Sequence, residues 1–346
     1  MSGSALNFAI RQLAHGVTLG ADEVSAAFDV IMRGEASPAQ TSALLVALRV
    51  KGETADEVAG VARALRAVMV PVPARAPESL VDTCGTGGGS VRTFNISTAA
   101  ALLAAGAGVR VAKHGNRSFT SQCGSADVLE ALGVRIEVSV EAMSRSLEDA
   151  GIVFMFAPLM HPAMKYVGPV RRELGIPTVM NIVGPLANPA MAGRQVVGVA
   201  ETGRMRLIAG ALAELRSRHA MVVHGEPGMD EISPIGTTHV IDVRGGEVRE
   251  WTIEPARHGF RDIAVAELAG GDPDENAQIV LRVLGGGGSR GARAAVILNA
   301  AAAIYVSGMA TDFDEGVTRA SEALASQAGL AALERLRDSL GRDTPS

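Results

Sequence analysis

Aromatic residues are scarce in this chain: Phe, Tyr and Trp make up 3% of its 346 residues. That excludes a broad aromatic platform on which single-stranded bases would stack. It also leaves the core to Ala, Val, Leu, Ile and Met, which suits helices packed closely on a sheet. An excess of positive charge is missing too. The 32 basic and 37 acidic residues are well mixed and leave a formal charge of −5, which argues against nucleic acid or an anionic membrane as a partner. Any anion must therefore be held by a local arrangement. Cys84 and Cys123 are the only cysteines, too few for a disulfide framework, and they read as small buried hydrophobes beside functional loops. The most apolar stretch, AAVILNAAAAIYV (294–306), is too short to span a bilayer and reads as a buried helix. The N-terminal MSGSALNFAIRQLAHG carries no continuous apolar signal segment, so the expectation is a soluble, cytoplasmic protein.

What is present divides the chain in two. Residues 5–70 read as wholly helical. Val24, Phe28 and Ile31 recur at helical spacing in a segment that stops near Gly34. Ser37 precedes Pro38 as an N-cap before a proline at the first helical position. Thr54 with Glu57 forms a capping-box pattern. The prolines of PVPARAP (71–77) then break the helix and read as a linker. From residue 80, short apolar runs alternate with helical stretches, which predicts a mainly parallel sheet with flanking helices. THVIDV and EVREWTI read as a hairpin, and the C-terminal third returns to helix. LGGGGSR (284–290) lacks the Lys and Ser/Thr of a P-loop and reads as a joint between helices.

Four glycines stand within residues 85–89, between a predicted strand (80–83) and a helix predicted to begin near Asn95. Bare amides and a positive helix end suit a phosphate there, although an unliganded strand-to-helix turn fits a glycine loop as well. A second segment, KHGNRSFTSQCGSADVLEALG (113–133), also joins a strand to a helix. It gathers Lys113, His114, Asn116, Arg117, Ser118, Thr120, Ser121 and Ser125. Charge-assisted hydrogen bonds from such groups are worth about 1.5–3 kcal/mol each. Two such loops at the carboxyl ends of strands would form the ligand crevice of an open α/β sheet. Each residue also fits a structural role: Ser125 as a helix cap, Arg117 paired with an acid, His114 as a hydrogen-bonded core histidine. Asp230 and Glu231, in VVHGEPGMDEIS (222–233), suit magnesium beside a phosphate, but taken alone an adjacent acidic pair fits an ordinary solvated one better. Residues 157–189 hold His161, Arg171 and Arg172; an arginine fork suits a carboxylate.

These stretches resemble the anthranilate phosphoribosyltransferases over nearly the whole chain, in GTGG, TFNIST, KHGNRS, GSADVLEALG, HPAMK, PVRRELGIPT, GPLANP and HGEPGMDEIS. The resemblance implies a small all-helical domain (1–72, joined by part of 160–190) hinged to a larger α/β domain (78–346) with a mainly parallel central sheet, as a homodimer through the helical part. It implies transfer of the phosphoribosyl group from 5-phosphoribosyl 1-diphosphate (PRPP) to anthranilate, with Mg2+, in tryptophan biosynthesis. The implied PRPP contacts are Gly85, Gly88, Gly89, Thr93, Asn95, Ile96, Ser97, Thr98, Lys113, His114, Gly115, Asn116, Arg117, Ser118, Phe119, Thr120, Ser121 and Ser125. The implied anthranilate contacts are Gly85, Asn116 and Arg171, with His114, His161 and Pro185 along the same path. Lys113, Asn116 and Arg171 are the implied catalytic residues, and Ser97, Asp230 and Glu231 the implied metal ligands. In one place the sequence departs from the family: Gly89 stands where an Asp usually follows GTGG, which leaves a roomier and less negative loop. Two rival readings are a pyrimidine nucleoside phosphorylase and a non-catalytic relative that binds nucleic acid.

Overall fold

The computed structural model describes residues 2–118 and 122–341. The chain opens with four helices, α1 (Ser2–Ala14), α2 (Ala21–Met32), α3 (Pro38–Lys51) and α4 (Ala55–Val68). Their ends fall where the sequence places them. Ser37 caps α3, its hydroxyl accepting from the Gln40 amide at 3.2 Å, with Pro38 next. Thr54 and Glu57 close the capping box of α4. Gly34, at φ 76°, follows the end of α2, whose Val24, Phe28 and Ile31 are buried.

Past an extended segment the chain alternates. It forms β1 (Val81–Gly85), α5 (Ile96–Gly106), β2 (Val111–Gly115), α6 (Ser125–Ala131), α7 (Val140–Asp149) and β3 (Ile152–Phe156). Then come α8 (Ala157–Met160), α9 (Met164–Leu174), β4 (Arg194–Gly198), α10 (Met205–Glu214) and β5 (His219–Gly225). The expected hairpin is β6 (Thr238–Arg244) and β7 (Glu247–Ile253). Four helices close the chain: α11 (Pro273–Leu284), α12 (Arg290–Ser307), α13 (Phe313–Ala325) and α14 (Ala328–Gly341).

The strands make one sheet in the order β3-β2-β1-β4-β5-β6-β7, parallel from β3 to β5 and antiparallel through the hairpin. Connections diverge to either side between β1 and β4, the switch point outside whose carboxyl ends ligands bind in such sheets. One face is covered by α5, α11, α12 and α14, where α12 is buried along nearly its whole length. On the other face the core runs from Val197, Val222 and Ile241 through Ile208 and Leu212 of α10 to Val58, Val61 and Leu65 of α4. The helical layer therefore rests on the sheet through α10. Small side chains permit this close packing, and each fully buried Val, Leu or Ile adds about 1.5–3 kcal/mol. Among the described residues no helix is long and apolar enough to cross a membrane.

Candidate active site

The site is built at the carboxyl ends of the parallel strands. Strand β1 runs into the glycine loop, where Gly87 and Gly88 adopt φ values of 73° and 85°, open to glycine at no steric cost. Several of the loop's amides are already committed. Thr86 N–H donates to the Gly198 carbonyl at 2.9 Å and Ser90 N–H to that of Gly228 at 2.8 Å. Gly87 N–H donates to Oδ2 of Asp230 at 2.8 Å. Gly88 and Gly89 have no amide acceptor among the described residues. The sequence points to anion binding by the loop's amides as a group; these two, with those of Val91, Arg92, Thr93 and Asn95, are left over among the described residues.

Helix α5 starts directly after. Its N-cap, Asn95, makes no side-chain cap; its amide group donates instead to the Cys123 carbonyl at 3.2 Å. The Ser97 amide is capped from outside the helix by Oε1 of Glu231 at 3.1 Å. A carboxylate thus already occupies part of the positive helix end expected for phosphate. Ile96 is buried in the core and Thr98 is nearly so, its hydroxyl without a hydrogen-bond partner among the described residues. Thr93 makes no side-chain hydrogen bond among them either.

Asp230 and Glu231 reach the crevice from the loop after β5. Asn299, a lone amide in apolar α12, fixes that loop by accepting from the Ile232 amide and donating to its carbonyl, both at 2.9 Å. A Cβ on Gly198 would lie 1.7 Å from the Asp230 carbonyl oxygen, so only glycine admits this approach. Burial pushes both carboxyl groups above their usual range; Asp230 adds to the rise at Glu231, while Lys113 and the Ser97 amide oppose it. Each carboxylate has one oxygen bound to an amide and one without a hydrogen-bond donor among the described residues. Hard oxygens short of positive charge fit Mg2+, which keeps waters and substrate phosphates among its ligands. No group of three or more His, Cys, Asp or Glu stands ready to hold a metal among the described residues, so this pair would share the ion with a substrate. The Ser97 hydroxyl receives Nζ of Lys113 at 3.3 Å and retains a lone pair for the same ion.

Lys113 is buried. Its ammonium donates to the Thr83 carbonyl at 2.5 Å and to Ser97. Burial lowers its pKa, opposed by Asp82, Cys84 and Glu231. Asp82, wholly buried on β1, is raised to about 6 by burial, with Lys113 and Asn188 pulling it back. Cys84 beside them is only partly buried, whereas Cys123 is buried as expected for a small apolar residue; desolvation raises the Cys84 thiol above its usual range.

Beyond Lys113, the rings of His114 and His161 stand 4.9 Å apart. His114 Nε2 and both His161 ring nitrogens are enclosed, without a hydrogen-bond partner among the described residues. Burial, then His161 and Lys113, depress His114 to about 3; burial depresses His161 to about 4. Pro185 is buried and follows Gly184, whose backbone faces His114. Arg171 lies in the last turn of α9, partly buried and without an ion-pair partner among the described residues; burial lowers its pKa.

In the loop after β2, Ser125 is the first residue of α6 rather than its cap. Asp127 does the capping, taking the Gly124 and Ser118 amides at 2.8 and 3.1 Å. The Ser125 hydroxyl donates to the Asn116 carbonyl at 3.3 Å, a contact possible because Gly115 has no side chain. Arg117 pairs with Asp127 and Glu130 across the exposed side of this loop. Phe119, Thr120 and Ser121 lie outside the described residues.

Three residues that hold the site escaped the sequence reading: Asp82, Asn188 and Asn299. Asn299 had a signal, one amide in the apolar run 294–306. Asp82 had one also, an acid inside an apolar strand.

Two family models match the chain: the glycosyl transferase family helical bundle domain over residues 8–69 and its a/b domain over residues 77–331. The anthranilate phosphoribosyltransferase of Rubrobacter xylanophilus is 53% identical over 330 residues, 95% of this chain and 96% of that protein. The crystal structure of the Thermus thermophilus enzyme of that name superposes with a TM-score of 0.90 at 41% identity, over 96% of this chain and 99% of that one. The Saccharomyces cerevisiae enzyme in complex with PRPP and Mg superposes with a TM-score of 0.87 at 29% identity, over 98% of each chain.

Proposed function

The chain belongs to the anthranilate phosphoribosyltransferase family, and from that premise we infer how its crevice is divided between two substrates. The protein transfers the phosphoribosyl group of PRPP to anthranilate, giving N-(5-phosphoribosyl)anthranilate and diphosphate, in tryptophan biosynthesis. The observation that carries the division is the reach of Asp230 and Glu231 across the crevice to the Gly87 and Ser97 amides, beside buried Lys113.

The donor lies against the glycine loop, the start of α5 and the loop after β2. Gly85, Gly88, Gly89, Thr93, the turn Asn95 to Thr98, Lys113, the segment from His114 to Ser118 and Ser125 surround it; Phe119, Thr120 and Ser121, expected contacts too, lie outside the described residues. Asp230 and Glu231, with Ser97, would hold Mg2+, which would supply positive charge to neutralise the diphosphate. Lys113 adds a cation already desolvated and fixed, so its field at the leaving group costs no reorganisation. Asn116, at the exit of β2, faces the ribose as charge builds on its anomeric carbon. The acceptor amine is neutral near pH 7 and needs no base; His114 and His161, neutral at that pH, shape its path together with Pro185. Arg171, short of an acid partner, takes the carboxylate of anthranilate.

Residues 1–72, joined by part of 160–190, form the helical domain, and 78–346 form the PRPP-binding domain. The protein works in the cytoplasm as a homodimer through the helical domain, whose Phe8, Val17 and Val50 are exposed.

Steady-state kinetics of Arg171→Ala test the acceptor assignment. Loss of a charged hydrogen bond raises the anthranilate KM about tenfold or more, with the PRPP KM nearly unchanged. An unaltered anthranilate KM would remove Arg171 from that role.

A further inference from the structure

The ladder between β1 and β2 stops early. It keeps one pair, Val81 with Val111, whereas β1 with β4 and β2 with β3 keep five each. Side chains take over where the next rungs would form. The Val81 amide donates to the Arg110 carbonyl and the Val111 amide turns away to that of Gly151. Alternation then aims the Ala112 carbonyl and the His114 amide at β1. The His114 amide donates to Oδ1 of Asp82 at 3.2 Å. The Ala112 carbonyl accepts from Nδ2 of Asn188 at 2.8 Å, and the same Nδ2 donates to Oδ2 of Asp82 at 2.8 Å. On β1, the Thr83 carbonyl accepts from Lys113.

Both hydrogens of the Asn188 amide are therefore used, and its oxygen accepts from the Ala190 amide at 2.9 Å. Asp82 is 0% exposed and Asn188 2%, so water cannot replace what either would lose. The Asn188 backbone belongs to the segment that carries Pro185, and the Asp82 carboxylate holds the backbone of His114. The donor groups hang elsewhere: Lys113 from Thr83 and Ser97, Asp230 from Gly87, Glu231 from Ser97.

We propose that Asp82 and Asn188 are positioning residues for the acceptor: a side-chain rung between β1 and β2 that sets how far His114 and Pro185 stand from the donor loop. This rests on the assignment of His114, His161 and Pro185 to the anthranilate path. Breaking the rung frees Pro185 and the acceptor side of His114, while Lys113, Asp230 and Glu231 keep the hydrogen bonds that seat the donor.

The test uses full-length Asn188→Ala. The anthranilate KM and kcat are measured by turnover, the PRPP Kd by calorimetry, and folding by urea titration. The expected result is an anthranilate KM raised about tenfold with the PRPP Kd within about twofold. If that variant does not fold, Asn188→Leu decides. It is close in size, removes the donors to Asp82 and the Ala112 carbonyl, leaves the Asp82 charge beside Lys113 in place, and is expected to give the same split. A folded variant with wild-type anthranilate KM and kcat, however much less stable, makes the rung merely structural and overturns the proposal. Equal weakening of both substrates overturns it too. Wild-type protein that fails to turn over anthranilate removes the underlying assignment itself, whereas active wild type with an unsplit variant removes the rung alone.

Discussion

Glu231 exchanges water for a single amide hydrogen bond and an adjacent like charge, and its carboxyl group is pushed up accordingly. Asp230 shares that position. Its Oδ1 faces Gly89, where an added Cβ would sit 3.0 Å away. Gly89 is not among the positive-φ glycines, so its backbone conformation does not bar a side chain, but a Cβ would also stand 3.2 Å from the Gly228 carbonyl oxygen. In this chain the position stays bare, and an acid like the family's usual one would add a third negative group against Asp230. The histidines yield a pH prediction. Unfolded imidazoles titrate near 6.5, but folded His161 is held at about 4. In that window the unfolded chain binds more protons, so the imidazole contribution is full above pH 6.5 and is lost as pH falls towards 4. Asp82, raised to about 6, works in the opposite sense, its protonation relieving the folded state at lower pH. Comparison of wild type with His161→Asn isolates the imidazole. Urea titrations at about pH 7 and pH 5 are expected to show wild type losing more stability than the variant. Equal losses would contradict a buried neutral ring.

At the scale of elements, caps and alternation were legible because both are local. Ser37 with Pro38, Thr54 with Glu57, and the strand-to-helix turns at the glycine loop and at residue 115 each depend on neighbours within a few positions. Helix α9 was not legible. Gly168 and Pro169 interrupt its sequence, yet it forms because Val167 and Val170 are buried in the core it shares with α2 and α3. Packing overrides propensity there. The site's clamps were hidden for another reason. Gly87 meets Asp230 at a separation of 143 residues and Asp82 meets Asn188 at 106, distances at which no spacing rule operates. So the residues of the crevice could be named from motifs, but not which amides were already spent on Asp230 and Glu231. The helical elements α1 to α4 make their own prediction. Sedimentation equilibrium should give twice the chain mass of 35.6 kDa, and Phe8→Glu with Val50→Glu should shift it towards one. A wild-type mass of one chain would contradict dimerisation through these helices.

The whole molecule is a helical layer seated through α10 on a sheet whose carboxyl edge gathers three chain-distant loops. The glycine loop and α5 offer amides, β2 offers Lys113, and the loop after β5 offers two carboxylates that bind those amides before any substrate arrives. This explains why an acidic protein with few aromatics can hold a highly charged donor: the cations and amides are local, buried and fixed. In the proposed mechanism magnesium would offset the acid pair. The most direct measurement is the loss of anthranilate fluorescence after PRPP is added to the purified chain across a magnesium titration. Decay is expected to rise with magnesium and to vanish when the ion is chelated. Folded protein that gives no decay at any magnesium concentration, or the same decay with and without the ion, would contradict that expectation.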